Sequence, residues 1–240
     1  SHQEIRQAEN LNVFDFALAE EDRQIISGLN KANFPKVGVL GATGFVGKAL
    51  TSEALRLGYQ VAGVSLNGKA MPMQHLTIIK EDVKNVESVV NKISDVDFII
   101  SSLNARGEDY ISTHLNAVEI ARKLKRPLVV IGTFANLKLD HLKASALDLL
   151  EGEEKDEELI KAQLLEELHK IDDVDWTYIS PSRTVDKYWL HHNYNIGGRV
   201  LLKNRAGESE VSVIDLVNFA LTTARWQKEF NHQQLTICNR

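Results

Sequence analysis

The chain is poor in cysteine and has no long apolar segment. Of its 240 residues only Cys238 is a cysteine, so an internal disulfide is excluded. No apolar stretch approaches the ~20 residues of a membrane-spanning helix, and none has the pattern of a signal peptide. These absences predict a protein of the cytoplasm that has no membrane partner.

The chain also has no large excess of positive or negative charge. The 28 basic and 33 acidic residues leave a formal net charge of −5, which gives no electrostatic reason to expect nucleic acid as a partner. A small-molecule ligand is the better expectation, and a homodimer stays open. The hydrophobic content of 43% is ordinary, and the chain is long enough to bury one α/β core and carry a short appendage.

The most informative segment is a glycine-rich turn at residues 41–47. Apolar residues precede it as in a short strand, and apolar residues recur at helical spacing after it. Gly41 permits a sharp turn off the strand, Gly44 leaves room for a phosphate to approach the backbone, and Gly47 permits close helix packing. We expect the helix that follows to point its positive end at a dinucleotide phosphate. The alternative is an ordinary strand-to-helix turn that binds nothing.

From Lys36 onward, short β-branched runs alternate with amphipathic segments, as in βαβ units. The pattern predicts an α/β fold, a Rossmann-type doubly wound parallel sheet with helices on both faces, over residues 36–240. Residues 181–209 are rich in glycine and show few helical periods, so we expect them to form a small C-terminal substrate lobe over the carboxyl ends of the strands. Strands are expected at 37–41, 60–65, 76–80, 97–102, 128–133, 176–180 and 234–238, and helices at 44–57, 84–93, 109–124, 154–170 and 213–227.

The predicted lobe holds the candidates for contact with a substrate. His192 and Tyr194 lie in a segment with a second histidine and two further aromatic rings, which together can stack on a planar ligand. Arg183 can hold a phosphate or carboxylate. An exposed lobe surface or a subunit contact is the alternative for the aromatic segment. No third ligand is suitably spaced for a metal site, so no metal is expected.

The second predicted strand ends without an acidic residue. The chain reads Ser65-Leu-Asn67-Gly-Lys69 there, whereas an acidic side chain would bind the ribose 2′-hydroxyl of NAD and repel the 2′-phosphate of NADP. Ser65, Asn67 and Lys69 are able to accept that phosphate. The expected cofactor is therefore NADP, and NAD stays open.

Several motifs carry a family resemblance from residue 36 to the end of the chain. The turn Gly-Ala-Thr-Gly-Phe-Val-Gly at 41–47 resembles that of extended and atypical short-chain dehydrogenases, and residues 176–182 resemble their sixth strand. The segments 195–199, 207–209 and 213–217, in that order, resemble the NADH-flavin reductases of the NmrA-like and biliverdin-reductase-B-like group. The resemblance implies an NAD(P)H-dependent oxidoreductase that passes hydride to a flavin or similar planar acceptor.

The resemblance also implies where the cofactor lies. Thr133 takes the position of the family's active-site serine, and Lys161 takes that of a lysine near the nicotinamide ribose. The implied contacts are Gly41, Thr43, Gly44, Phe45, Val46 and Gly47 for the pyrophosphate, Asp82 and Val83 for the adenine, Ser101, Ser102 and Leu103 along the cofactor, and Thr133, Lys161, Pro181 and Ser182 at the nicotinamide end.

One departure from the family pattern bears on the reaction. Four residues before Lys161, where short-chain dehydrogenases have an acid–base tyrosine, this chain has Glu157. A carboxylate does not replace a phenol, whose pKa near ~10 suits proton exchange with an alkoxide. Alcohol oxidation is therefore disfavoured, whereas reduction of a flavin needs mainly positioning and stacking. The catalytic residues stay unassigned.

Two alternative functions remain at this stage. An NmrA-like sensor would bind NADP without turning it over, and the missing tyrosine favours it. A sugar-nucleotide epimerase or reductase of the extended short-chain type would normally require the tyrosine that Glu157 replaces.

Residues 1–35 precede the α/β pattern and are expected to form an appended helical arm. Their sequence resembles the C-terminal end of an aldo-keto reductase, in which the positions of Ser1, Arg6 and Asn10 contact the adenosine part of the cofactor. The barrel and the catalytic residues of that family are absent, so the arm is expected to carry no catalysis.

Overall fold

A computed structural model of the chain describes residues 34–68, 73–107, 109–139, 144–186 and 193–240. Residues 35–240 form one unit by their internal contacts. Most of the predicted arm, and the site candidates Lys69 and His192, lie outside the described residues. The division of the chain at residues 35 and 36, and the roles of these two side chains, stay predictions.

Strands and helices alternate along the described chain. The strands are β1 (Lys36–Leu40), β2 (Gln60–Ser65), β3 (Leu76–Lys80), β4 (Phe98–Ser101), β5 (Leu128–Ile131), β6 (Trp176–Ser180), β7 (Thr184–Asp186), β8 (Tyr194–Gly197), β9 (Glu210–Ser212) and β10 (Gln233–Asn239). The helices are α1 (Phe45–Arg56), α2 (Val86–Lys92), α3 (Asp109–Leu124), α4 (Gly152–Leu168), α5 (Val213–Arg225) and α6 (Gln227–Phe230), and two 3-10 turns cover Phe134–Asn136 and Ala146–Leu149.

The main sheet has eight strands in the order β3-β2-β1-β4-β5-β6-β10-β8. All neighbours pair in parallel except β8, which is antiparallel to β10. The chain adds β2 and β3 on one side of β1 and then returns to add β4 on the other side. The strand order therefore reverses between β1 and β4, which is where open α/β sheets bind their ligands.

Both faces of the sheet are buried, and successive residues of a strand belong to different cores. Val37 and Val39 of β1 pack with α1 and α5 in one cluster, whereas Leu40 packs with α2, α3 and α4 in the other. The same alternation occurs in β4, where Ile99 and Ile100 face opposite sides. Side chains that alternate between two covered faces produce the near-continuous apolar strands seen in the sequence. The predicted doubly wound sheet with helices on both faces is confirmed.

The segment between β6 and α5 differs most from its sequence-based description. It contains three short strands: β7 and β9 pair with each other, and β8 forms the edge of the main sheet. Their three or four residues are too few for a hydrophobic period, and β8 is only partly buried or exposed, so the sequence carried no strand pattern here. In the part of the chain that the structure describes, no helix has the length and apolar character needed to cross a membrane.

A buried histidine supports the end of β4. His114 of α3 is fully buried; its Nδ1 lies 3.1 Å from Ser101 Oγ and its Nε2 lies 3.3 Å from the carbonyl oxygen of Leu103. The ring also stacks obliquely on Tyr110, with centroids 4.6 Å apart. Burial lowers the pKa of His114 to about 4, because the charged imidazolium is disfavoured away from water.

This depressed pKa predicts a stability that falls in mild acid. Below pH 6.5 the unfolded chain takes up a proton that the folded His114 accepts only near pH 4, so stability is lost progressively across that interval. Between pH 7 and pH 5 the loss from this group is about 2 kcal/mol. Urea unfolding at several pH values should show that the free energy of unfolding depends less steeply on pH in His114→Gln than in the wild type. An equal dependence on pH in the two proteins would contradict this assignment.

Candidate functional site

A cavity of about 480 Å³ opens at the carboxyl ends of β1, β2, β3 and β4. It lies where the strand order reverses, and the segments that follow each of these strands contribute to its wall. The sequence-predicted contacts that line it are Gly41, Thr43, Gly44, Ser65, Asn67, Asp82, Val83, Ser102 and Leu103. Side chains from four separate segments of the sequence are thus brought to one site.

Close packing explains two of the three glycines in the turn. Gly41 has φ +89°, and a Cβ there would lie 2.9 Å from the carbonyl oxygen of Ser102. A Cβ on Gly47 would lie 2.0 Å from the carbonyl oxygen of Gly41, so α1 approaches the turn more closely than any side chain allows. These two positions need glycine for the fold itself.

Gly44 is different, because no described residue fills the space beside it. Among the described atoms a Cβ there would meet only the carbonyl oxygen of Gly41, at an ordinary 3.4 Å, and the backbone conformation is extended. Gly44 is the N-cap of α1, and as a glycine it has no side chain with which to cap the helix. Gly44 also lines the cavity, and a helix N-terminus beside a cavity suits a phosphate. The room beside Gly44 fits the pyrophosphate of a dinucleotide.

The first three residues of α1 differ in how deeply they are buried. Phe45 is half exposed, Val46 packs against the core beside α1, and Gly47 is buried. The expected contacts of these residues with a pyrophosphate come from the helix start rather than from their side chains.

A short hydrogen bond joins the glycine turn to the end of β2. Thr43 Oγ1 and Ser65 Oγ are 2.5 Å apart, and the backbone N–H of Asn67 donates to Ser65 Oγ at 3.3 Å. Ser65 is 6% exposed. Its hydroxyl therefore holds the turn against β2, and beyond it Leu66 and the polar Asn67 line the cavity.

Glu81, which sequence reasoning overlooked, organises the wall next to Asp82 and Val83. Its carboxylate accepts hydrogen bonds from Lys92 Nζ at 2.7 Å, Ser88 Oγ at 2.5 Å and Asn85 Nδ2 at 2.8 Å. The Lys92 hydrogen bond is the largest of the effects that hold the pKa of Glu81 well below its usual range. The carboxylate stays charged and fixes α2 relative to this wall, and no motif in the sequence marks it.

The two serines after β4 have separate roles. Ser102 lines the cavity, and its Oγ donates to the carbonyl oxygen of Leu40 at 3.1 Å. Ser101 is fully buried and its hydroxyl meets His114, so its side chain supports the loop from the core side. Only the backbone of Ser101 remains for the predicted cofactor contact.

Beyond the cavity, the residues after β5 form a polar cluster with α4. Thr133 Oγ1 donates to Glu158 Oε2, and Lys161 Nζ donates to Glu158 Oε1 at 2.7 Å and to Glu157 Oε1 at 2.9 Å. The backbone N–H of Thr133 donates to Tyr178 Oη at 3.0 Å. The predicted residues Thr133 and Lys161 are therefore joined, but through Glu158, which the sequence did not single out.

The remaining candidates are spread over the end of the chain. Pro181 and Ser182 are buried, and Ser182 Oγ donates to the carbonyl oxygen of Ile237 at 2.8 Å. Arg183 is exposed and lines a second cavity of about 480 Å³ beside the paired strands β7 and β9. Tyr194 packs its ring 6.3 Å from that of Phe219, and burial raises the pKa of its hydroxyl. The structure does not bring these substrate candidates to the first cavity.

Comparisons with known proteins agree with this architecture. Residues 41–225 match a family model described as NAD(P)H-binding. The curated protein YwnB of Bacillus subtilis, which is uncharacterised, is 25% identical over 192 residues, covering 75% of this chain and 87% of its own length. The match from residue 41 onward leaves the likeness of residues 1–35 to aldo-keto reductases without support.

Two solved structures share the fold. A Streptococcus pneumoniae protein proposed to be an NADH-flavin reductase superposes with a TM-score of 0.72 at 23% identity, over 86% of this chain and all of that one. A Bacteroides thetaiotaomicron protein proposed to be an epimerase gives 0.76 at 23% identity, over 86% of this chain and 97% of that one. With the family match covering most of the sequence and the site at the reversal of strand order, the chain belongs to the NAD(P)H-binding family of Rossmann-like proteins.

Proposed function

We propose that the protein is an NAD(P)H-dependent reductase that passes hydride to a flavin or a similar planar acceptor. The observation that carries the proposal is the state of the hydroxyl groups at the ends of β5 and β6. Thr133 Oγ1 donates to Glu158 and accepts from the N–H of Ala135, while Tyr178 Oη donates to Asn136 and accepts from Thr133 N. Each hydroxyl therefore donates its proton to one group of the protein and accepts a hydrogen bond from another.

This engagement argues against alcohol chemistry. Oxidation of an alcohol or epimerisation through a ketone needs a group that takes the hydroxyl proton. Burial raises the pKa of Tyr178 far above its ordinary value, and Glu157 stands where a dehydrogenase has its tyrosine. A flavin accepts hydride without such a group, because a proton from solvent can follow. The nicotinamide supplies the hydride, and the protein supplies alignment of the two rings.

The fold of the Streptococcus pneumoniae neighbour is consistent with this proposal, since that protein is itself proposed to be an NADH-flavin reductase. The rival with no turnover, an NADP-binding sensor, fits the same missing tyrosine and differs only in whether an acceptor can reach the nicotinamide.

NADP is the form of the cofactor that we propose, with NAD as the alternative. The end of β2 carries Ser65 rather than a carboxylate, and Asn67 lines the cavity beside it. The acidic residues that line the cavity are Glu81, Asp82 and Asp109, and the carboxylate of Glu81 is engaged by Lys92, Ser88 and Asn85. At the end of β2 itself, a 2′-phosphate would meet a hydroxyl and an amide rather than a carboxylate.

Turnover is the first test of the proposal. Purified protein should oxidise NADPH, followed at its absorbance, when FMN, FAD or riboflavin is present, and the rate should saturate with the flavin. A protein that binds NADPH tightly but oxidises it with none of these acceptors or with a quinone would instead be a cofactor sensor. A protein that binds neither NADPH nor NADH would overturn both functions.

A pair of glycine variants separates cofactor binding from folding. Gly44→Ala should raise the NADPH dissociation constant at least tenfold, about 1.4 kcal/mol, because its Cβ enters the space left for the pyrophosphate while the apo fold accommodates it. Gly47→Ala should destabilise the protein by about 2 kcal/mol through overpacking, lowering the melting temperature by roughly 4–8 °C. Fluorescence titration and thermal melts measure the two effects. Unchanged NADPH affinity in Gly44→Ala would place the cofactor elsewhere.

The cofactor preference is tested at the end of β2. Ser65→Asp places a carboxylate where NAD-binding proteins have one, so the ratio of NADPH to NADH affinity should fall about tenfold or more. Ser65→Ala removes the same hydrogen bond to Thr43 without adding charge and serves as the matched control. If both variants shift the ratio equally, the effect comes from the lost hydrogen bond and the phosphate does not lie beside residue 65.

A further inference from the structure

The carboxylate of Glu158 links a lysine of α4, Lys161, to the end of β5. Glu158 Oε1 accepts from Lys161 Nζ at 2.7 Å, and Glu158 Oε2 accepts from Thr133 Oγ1. The side chains of Glu158 and Lys161 are each 15% exposed. Both oxygens of Glu158 therefore have a partner, and the two partners come from elements far apart in the sequence.

The neighbouring carboxylate, Glu157, also contacts Lys161 but is more exposed than Glu158. Glu157 Oε1 lies 2.9 Å from Lys161 Nζ, but its side chain is 44% exposed and has no bond to Thr133 among the described contacts. The positive charge of Arg106, in the loop that follows β4, contributes to the lowered pKa of Glu157. Glu157 thus lies on the solvent side of Lys161, and Glu158 lies on the side of the sheet.

The end of β5 is itself held rigidly. Thr133 is 4% exposed and is the N-cap of the 3-10 turn that follows, where its Oγ1 accepts from the N–H of Ala135 at 3.0 Å. Tyr178 Oη packs under the preceding residue so closely that a Cβ on Gly132 would lie 2.0 Å from it. Asn136, which accepts from Tyr178 Oη, donates to the carbonyl oxygen of Ala162 on α4 at 2.6 Å. This second link fixes α4 beside Thr133 independently of Glu158.

We propose that Glu158 is a positioning residue of the reductase site, whose carboxylate fixes the Lys161 ammonium group and the Thr133 hydroxyl at the carboxyl end of β5. This inference rests on the proposed function for the reaction that it serves. Glu157 takes the place of the tyrosine in the sequence, whereas Glu158 is the carboxylate that contacts both Thr133 and Lys161. Because the Thr133 proton is committed to Glu158, Lys161 serves as a fixed positive charge and the acceptor takes its proton from solvent.

The charges around Lys161 agree with that role. Among the described residues, Glu157 and Glu158 are the charged groups that act on it, Arg106 acts on Glu157, and the buried hydroxyls of Tyr110 and Tyr178 lie near Glu158. Burial lowers the pKa of Lys161, but the two carboxylates more than offset that effect, and the pKa is raised. An ammonium group with a raised pKa keeps its charge at neutral pH and is a poor acid.

The first experiment needs neither cofactor nor turnover. The Lys161 ammonium pKa is measured by heteronuclear NMR titration in the wild type, Glu158→Gln and Glu157→Gln. Glu158→Gln should lower the pKa of Lys161, because burial remains and the better-shielded partner is lost, and Glu157→Gln should lower it less. An equal shift in the two variants, or no shift in Glu158→Gln, would overturn the assignment of Glu158 as the principal anchor.

The second experiment asks whether the anchor serves the reaction. With FMN as acceptor, Glu158→Gln should lower kcat about tenfold and leave the KM for FMN within twofold, whereas Glu157→Gln should change kcat less than twofold. A fall in kcat that is explained by a lower melting temperature, or an equal fall in kcat in both variants, would contradict a positioning role. Absence of wild-type turnover refutes the proposed function instead, and the NMR result still decides the role of Glu158.

A variant at the other end of the link covers a failure of Glu158→Gln to fold. Thr133→Val removes the hydroxyl that donates to Glu158 and should lower kcat about tenfold, and Thr133→Ser, which keeps a hydroxyl, should restore most of that loss. Equal kcat in the serine and valine variants would contradict the proposed link.

Discussion

The close backbone approach between the glycine turn and the segment after β4 is the constraint on which the site depends. The carbonyl oxygen of Ser102 occupies the space that a side chain on residue 41 would need, and Ser102 N donates to the carbonyl oxygen of Leu40 at 2.9 Å. On the other side, the N–H groups of Gly41 and Ala42 both donate to the carbonyl oxygen of Val64. The turn is thus fixed between the ends of β4 and β2, and the position of the α1 N-terminus follows from it.

A different kind of interaction organises the second half of the site. Around the ends of β5 and β6 the contacts are between side chains, and they are charged or made by buried hydroxyls: Thr133 with Glu158, Glu158 with Lys161, and Tyr178 with Asn136. Networks of this kind are stable only when each member has its partner. The half around the glycine turn depends on backbone geometry and the half around the ends of β5 and β6 on electrostatics, so the two halves respond to different substitutions.

The sequence predicted the longer strands and helices and missed the short strands β7, β8 and β9. Every predicted strand of the main sheet and every predicted helix is present, because each has a hydrophobic period long enough to recognise. The strand β8 was missed because its pairing with β10 is long-range and its residues are only partly buried. Hydrogen bonds between such short strands are decided by what lies next to them in space, which the local sequence does not encode.

The site residues divide in the same way. The glycine turn, Ser65 and Asp82 were predictable because each is tied to the end of a recognisable strand. Glu158 was not predictable. Its helix contains many acidic residues, and their sequence does not indicate which carboxylate turns toward the sheet. His114 was hidden for a similar reason: within an amphipathic helix, a buried histidine cannot be distinguished by sequence from an exposed one until its neighbours are known.

The three glycines of the turn are maintained by different selective pressures. Selection for a stable fold is enough to retain Gly41 and Gly47, because backbone atoms occupy the positions of their missing side chains. No described atom sets such a limit at residue 44, where a bound ligand would be the reason for a small residue. A lineage of this protein that kept its fold without such a ligand would be free to accumulate larger residues at position 44 first.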